Sequence, residues 1–274
     1  MPIITPADPH HTQKQIESIT IIGGVNKLGE QENITLKISV GEIISIVGPT
    51  GSGKSRLLGD IEWIAQKDTP TKRQILVNEQ IPAYELRFSV EDKLVSQLSQ
   101  NMNFIMDVSV RTFIEMHAMS RGIEKGSSII EKIIDKANDL AGEQFNEETP
   151  VTSLSGGQSR ALMIADTAYL SKSPIVLIDE IENAGIDRRK ALQLLVRNEK
   201  IILIATHDPI LSLMASKRIV IKNGGIHKVL KTTQKERENL NFLENLDNQI
   251  MQIRDRLRCG ELIENLNTKA VIDT

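Results

Sequence analysis

Gly48-Pro49-Thr50-Gly51-Ser52-Gly53-Lys54-Ser55 fits the pattern G-x-x-x-x-G-K-[ST] and stands between an apolar run and a helical one. Before it, Glu42-Ile43-Ile44-Ser45-Ile46-Val47 is partly β-branched and reads as a buried strand. After it, Arg56-Leu57-Leu58 opens a helical pattern. Strand, tight loop and helix in that order make a phosphate-cradling loop the better reading than a chance glycine-rich turn. Glycines let the backbone curl until several N–H groups point inward, and the helix N-terminus adds positive potential for anionic oxygens. Lys54 is then placed to reach β and γ phosphates, and Ser55 to offer a hydroxyl to Mg2+.

Two further apolar runs end in polar groups. Pro174-Ile175-Val176-Leu177-Ile178-Asp179-Glu180 is a wholly apolar strand closed by two acids, and Lys200-Ile201-Ile202-Leu203-Ile204-Ala205-Thr206-His207-Asp208 is another buried strand. A parallel sheet gathers its chemistry at strand C-termini, so Asp179, Glu180 and His207 are expected beside Gly48. Beside a phosphate loop the first acid reads as a Mg2+ carboxylate and the second as a base. Ahead of both runs, Thr152-Ser153-Leu154-Ser155-Gly156-Gly157-Gln158 precedes a stretch of helical composition from Ser159 to Leu170. Small residues at a helix N-terminus make a second anion-binding end.

Composition narrows the classes. A chain of 274 residues, 40% of them hydrophobic, can fill one large α/β domain or a core domain with a smaller lobe. With 33 Lys plus Arg against 36 Asp plus Glu, the net charge of -3 gives no bulk drive toward nucleic acid or anionic membrane, and no nucleic-acid partner is expected. The single cysteine, Cys259, leaves no intramolecular disulfide and fits a reducing compartment. No apolar run approaches a membrane span, and residues 1–15, with Pro2, Pro6, Pro9 and no periodicity, read as a flexible tail rather than a targeting segment. His10 and His11 in that tail lack a Cys or carboxylate partner at ligand spacing. The chain reads as cytoplasmic, without direct membrane insertion and peripheral to a membrane only through another subunit.

The remaining stretches fit around this centre. Ile16 to Ile22 and Ile34 to Ser39 read as antiparallel strands of a small sheet beside the nucleotide site, and Gln74 to Asn78 as a further strand. Ser109 caps an expected helix running to Met116. In a second helix Ser128 and Glu131 stand in capping-box relation, Ile130, Ile133, Ile134, Ala137 and Leu140 line one face, and Gly142 marks the stop. Arg188 to Val196 reads as a helix, and Ile219 to Leu230 as a closing hairpin about Asn223-Gly224-Gly225. Beyond it, Lys235 to Ile263 is charged and helical, with Leu243, Leu246, Ile250, Ile253 and Leu257 spaced three and four apart. That spacing suits either a two-heptad coiled-coil seam or an amphipathic helix packing on its own domain.

Taken together the motifs resemble the ATP-binding cassette (ABC) family, whose nucleotide-binding domains combine a P-loop with an LSGGQ signature. Leu154-Ser155-Gly156-Gly157-Gln158 matches that signature at all five positions, and the similarity extends over roughly residues 16–232. The resemblance implies a P-loop NTPase core with a mixed, mostly parallel sheet, a small antiparallel β-subdomain and an α-helical insert carrying the signature. Residues 16–232 would form the ATPase domain, with the insert at about 108–150 and a helical extension over 233–274. It further implies that Gly48, Pro49, Thr50, Gly51, Ser52, Gly53, Lys54 and Ser55 bind ATP, that Asp179 holds Mg2+ through water, that Glu180 is the catalytic base and that His207 contacts the γ-phosphate. Gln100, followed by Ser109-Val110 at the family's Thr-Val spacing, resembles the glutamine that touches Mg2+ and the attacking water. Two such domains pair head to tail, so Ser155, Gly156, Gly157 and Gln158 of one chain would close over ATP on the other, a second copy being the simplest partner.

The chain departs from the family pattern in places. No Phe, Tyr or Trp precedes Trp63 to stack on adenine, and Leu28 near the expected position offers only an apolar contact, which leaves ATP against GTP open. Ile181 replaces the usual Pro, the loop Glu182-Asn183-Ala184-Gly185-Ile186-Asp187 carries one extra residue, and Ala161 and Asp166 stand where transport members often carry arginines. Two functions are implied: the energising subunit of a transporter with a separate permease, or a soluble ATPase that remodels a protein client or metallocofactor assembly. The family's DNA-repair members carry a very long coiled-coil insertion, which the stretch from Gln100 to Leu154 is too short to hold.

Overall fold

The computed structural model describes residues 16–88, 93–99, 104–124, 128–180 and 185–263. The expected tail over 1–15, Gln100 and residues 181–184 lie outside them. Within the described residues two sheets are present. The smaller is antiparallel, in the order β2 (Thr35–Ser39), β1 (Ser18–Ile22), β4 (Gln74–Val77). Along β2, Leu36 and Ile38 are buried while Thr35, Lys37 and Ser39 are exposed, the period of two that a sheet with one wet face imposes.

The larger sheet has the order β5 (Val95–Leu98), β6 (Ile175–Asp179), β7 (Ile201–Ala205), β3 (Ile43–Val47), β8 (Lys217–Lys222), β9 (Gly225–Lys231). Its first five strands run parallel, and β9 turns back antiparallel on β8. Helices cover both faces, so β7 and β6 up to Ile178 are apolar. Ile175, Leu177, Ile201 and Leu203 join a cluster with α1 (Lys54–Glu62) and the small sheet, while Val176, Ile178, Ile202 and Ile204 join a second with α5 (Gly156–Tyr169) and α6 (Arg188–Arg197). A third cluster holds α3 (Val110–Met119) and α4 (Ser128–Leu140) against α5.

Most expected elements are present. Ser109 caps α3, accepting from the Thr112 N–H, and the α4 stripe Ile130, Ile133, Ile134, Ala137 and Leu140 is buried. Ser128 differs: it is the first helical residue of α4, one position inside the expected cap. Two elements carry no sequence signal, α2 (Tyr84–Phe88) and β5. The interior of β5 is Ser96-Gln97, and it is a strand because its backbone pairs with β6, from Val95 opposite Ile175 to Leu98 opposite Ile178.

After α7 (Pro209–Met214) and the hairpin, α8 (Gln234–Arg258) starts at a capping box, Thr233 with Glu236, and stops before Gly260, whose φ is +81°. Of the two readings of this helix, packing on its own domain holds for the first half. α8 lies on α7, and Asp247, Glu244 and Glu236 pair with Arg188, Arg189 and Arg218. Farther along, Ile250 and Leu257 of the proposed seam are exposed.

Candidate active site

Strands β6, β7 and β3 are neighbours and run parallel, so the residues that follow them emerge side by side. The N–H of Thr206 donates to Ile46 O at 3.2 Å and that of Glu180 to Ala205 O at 3.0 Å, which ties the three exits together. Lys54, at the first position of α1, folds back into its own loop: its Nζ donates to Gly48 O at 3.0 Å and to Pro49 O at 3.5 Å, and lies 2.9 Å from His207 Nε2. An ammonium can only donate, so a hydrogen bond between Lys54 and His207 needs Nε2 as its acceptor. Glu180 Oε1 lies 3.7 Å from the same nitrogen. Glu180 has φ +49°, a left-handed conformation that costs a non-glycine residue about 1–3 kcal/mol. Cation, imidazole and carboxylate thus meet at one point.

The loop is held by close approach to the β8–β9 turn. A Cβ on Gly53, whose φ is +108°, would sit 2.8 Å from Gly224 Cα, and one on Gly48 would sit 2.6 Å from Ile221 O. The Gly224 N–H donates to Ser52 O at 2.7 Å. Behind that turn lies Arg73, fully buried, whose guanidinium meets Glu32 Oε1 at 2.5 Å, Glu32 Oε2 at 2.9 Å, Asp60 Oδ2 at 2.7 Å and Gly224 O at 2.9 Å. Burial pushes the Glu32 carboxyl up, but Arg73 and the N–H groups of Gly24 and Ile226 outweigh it and hold the acid below its ordinary range. This bracket was not legible as a site feature: its two acids stand 13 and 41 residues from Arg73, and nothing in their local pattern marks them as partners.

The residues fit a nucleotide triphosphate and Mg2+. A cation, the N-terminal amides that α1 cannot satisfy internally and the buried, unpaired Ser52 hydroxyl converge on one loop, which is what phosphate oxygens require. Ser55, in the first turn of α1, and Asp179, the last residue of β6, carry hard oxygen donors of the kind that suits Mg2+. Lys27 was missed by the sequence reading; its side chain crosses Gly224, and its Nζ reaches Gly51 O at 3.4 Å.

The signature lies at the N-terminus of α5. Ser155 Oγ accepts from the Gln158 N–H at 3.2 Å while Gln158 Oε1 accepts from the Ser155 N–H at 2.8 Å, and Gln158 Nε2 turns to Glu143 O and Gln144 O. Ser155 and Gly156 are exposed, and among the described residues no hydrogen bond joins the signature to the P-loop of the same chain.

A family model described as ABC transporter matches residues 31–183, more than half of the 274 residues. An uncharacterized ABC transporter ATP-binding protein of Methanocaldococcus jannaschii is 50% identical over 248 residues, covering 90% of this chain and 95% of that one. The chain belongs to the ABC transporter family. The energy-coupling factor transporter ATP-binding protein EcfA of the same organism is 30% identical over 206 residues, covering 72% and 71%. A solved dimeric structure of a bacterial ABC transporter cassette shares the fold, with a TM-score of 0.59 at 24% identity over 78% of this chain and 99% of that one.

This protein is an ABC-type ATPase, and those of its departures from the common pattern that fall among the described residues can be placed. Ala161 is fully buried in the cluster between α5 and the sheet, where an arginine would not fit. Asp166, also buried, faces α3, with Oδ1 3.2 Å from His117 Nδ1. Leu28 is 67% exposed and lines an open cleft of about 470 Å³ with Asn26, Glu30, Lys222, Asn223 and His227. Asp187 caps α6, its Oδ1 accepting from the Lys190 N–H at 3.0 Å. No helix among the described residues is long and apolar enough to cross a membrane.

Proposed function

We propose that two copies of this ATPase pair head to tail, bind Mg-ATP between the P-loop of one and the signature of the other, and use its hydrolysis to drive a membrane permease. The observation that carries the catalytic part is the meeting of Lys54, His207 and Glu180 at the ends of three adjacent parallel strands. Lys54 would exchange Gly48 O and His207 for β- and γ-phosphate oxygens, leaving His207 free to take its proton on Nε2 and donate to the γ-phosphate. Glu180 would polarise the attacking water. Ser55 and Asp179 would hold Mg2+, which supplies neutralisation of charge on the phosphate oxygens, and Gln100 would join them. Phosphoryl transfer asks for alignment and charge compensation more than covalent help, and these groups offer that.

The signature supports the dimer. It presents an exposed helix N-terminus, an anion-binding end that among the described residues makes no hydrogen bond to the P-loop of its own chain, and the fold-matched cassette is dimeric. The transporter role rests on the names of the relatives, which also weigh against a soluble remodelling ATPase. Purified Glu180→Gln is expected to bind Mg-ATP with near wild-type affinity and lose turnover about 10²–10⁴-fold. Unimpaired turnover would remove Glu180 from the role of base. Purification of the same variant from its own membranes in mild detergent is expected to bring a polytopic permease; recovery with a soluble client instead would overturn transport.

A further inference from the structure

The helix α6 opens with Arg188, Arg189 and Lys190, three cations where the helix macrodipole already places positive potential, and no acid stands in its first turn. A local choice that opposes its own helix marks a requirement set from elsewhere in the fold. Here it comes from two directions. Arg188 Nη1 pairs with Asp208 and Nη2 with Asp247 of α8, while Arg189 Nη1 pairs with Glu244 of α8 at 3.1 Å. Asp208 directly follows His207. Its Oδ1 caps α7, accepting from Ile210 N at 2.7 Å and Leu211 N at 3.1 Å, and its own N–H donates to Thr206 Oγ1 at 2.9 Å.

His207 is therefore held on both sides. Thr206 is buried and tied to β3, and Asp208 is tied to α7 by its cap and to α6 by Arg188. Asp187, immediately before Arg188, caps α6. One guanidinium thus joins the C-terminal helix to the residue that follows His207 and to the start of α6, the helix that comes after Glu180 in the chain. We infer that Arg188 is a positioning residue for His207, and that α8 sets its placement through Asp247, so that a partner moving α8 would change turnover without touching nucleotide. The inference rests on the reading of His207 as the γ-phosphate contact.

The test compares steady-state ATPase kinetics and nucleotide affinity of the full-length chain with those of Asp247→Asn, Asp247→Glu, Arg188→Gln, the Arg188→Gln/Asp247→Asn pair and Glu244→Gln. Asp247→Asn and Arg188→Gln are each expected to lower kcat about three- to tenfold with KM and nucleotide affinity within twofold. Asp247→Glu should restore most of the rate, and the double variant should be no slower than Arg188→Gln alone. Glu244→Gln removes a neighbouring α8 contact that does not reach Asp208, and its kcat should stay at wild type. A wild-type kcat in Asp247→Asn, or an equal fall in Glu244→Gln, overturns the inference, the latter by making α8 merely a structural support. His207→Ala separates the two levels. If it is inactive while Asp247→Asn is wild type, only the positioning role falls; if it turns over at the wild-type rate, the parent reading falls.

Discussion

Arg73 is the largest fully buried side chain among the described residues, and its two carboxylate partners are buried with it. Such a cluster adds little net stability compared with apolar packing, yet removing one member strands the others. Arg73→Met is expected to lower the unfolding free energy by about 3–5 kcal/mol at neutral pH, measured by urea denaturation. The pH dependence follows from the depressed Glu32. An acid titrating lower in the folded than in the unfolded state stabilises above its ordinary value of about 4.5 and loses that contribution as pH falls through its folded value. The gap between wild type and Arg73→Met should therefore be widest above that value and narrow below it; a gap independent of pH would show that Glu32 is not the acid Arg73 serves. At the same scale, Lys54→Ala should weaken nucleotide binding, read by titration calorimetry.

At the scale of elements, α4 shows why some helices can be read from sequence. Its apolar stripe recurs at three and four: Ile130, Ile133, Ile134 and Ala137 are buried with α3 and α5, and Leu140 with α5 and α6. Ile133→Ala should cost about 2–5 kcal/mol, measured by thermal or urea unfolding, because the cavity it leaves lies between packed helices. The P-loop shows the other source of legibility, backbone geometry. Gly53→Ala must fit a Cβ 2.8 Å from Gly224 Cα at a left-handed φ, so it should distort the loop and weaken ATP binding even though no nucleotide-contacting side chain is lost. By contrast β5 and α2 were silent, since neither has a periodic apolar face and β5 exists through its pairing with β6.

For the whole molecule the decisive prediction concerns stoichiometry. Glu180→Gln with Mg-ATP should sediment as a dimer and return to monomer on nucleotide removal, while wild type dimerises only transiently. Gly157→Asp places an acid at the exposed N-terminus of α5, where it would oppose a partner's phosphates. That variant should bind ATP normally at its own P-loop, yet fail to dimerise and to hydrolyse, and dimerisation at the wild-type level would refute the shared pocket.

By itself the sequence determined the phosphate loop, the apolar strands that end in Asp179-Glu180 and in Thr206-His207, and the signature helix start, because each is a local pattern whose chemistry is complete within about ten residues. The strand order that sets β6, β7 and β3 side by side, the buried ion bracket around Arg73, and the bridge from α8 through Arg188 to Asp208 were decided only in three dimensions. The physical reason is range. Backbone curvature and side-chain periodicity are imposed by near neighbours along the chain, whereas a charge finds its counter-charge, and a polar strand its ladder, only after distant segments have been brought within a few ångströms by burial of the apolar residues between them.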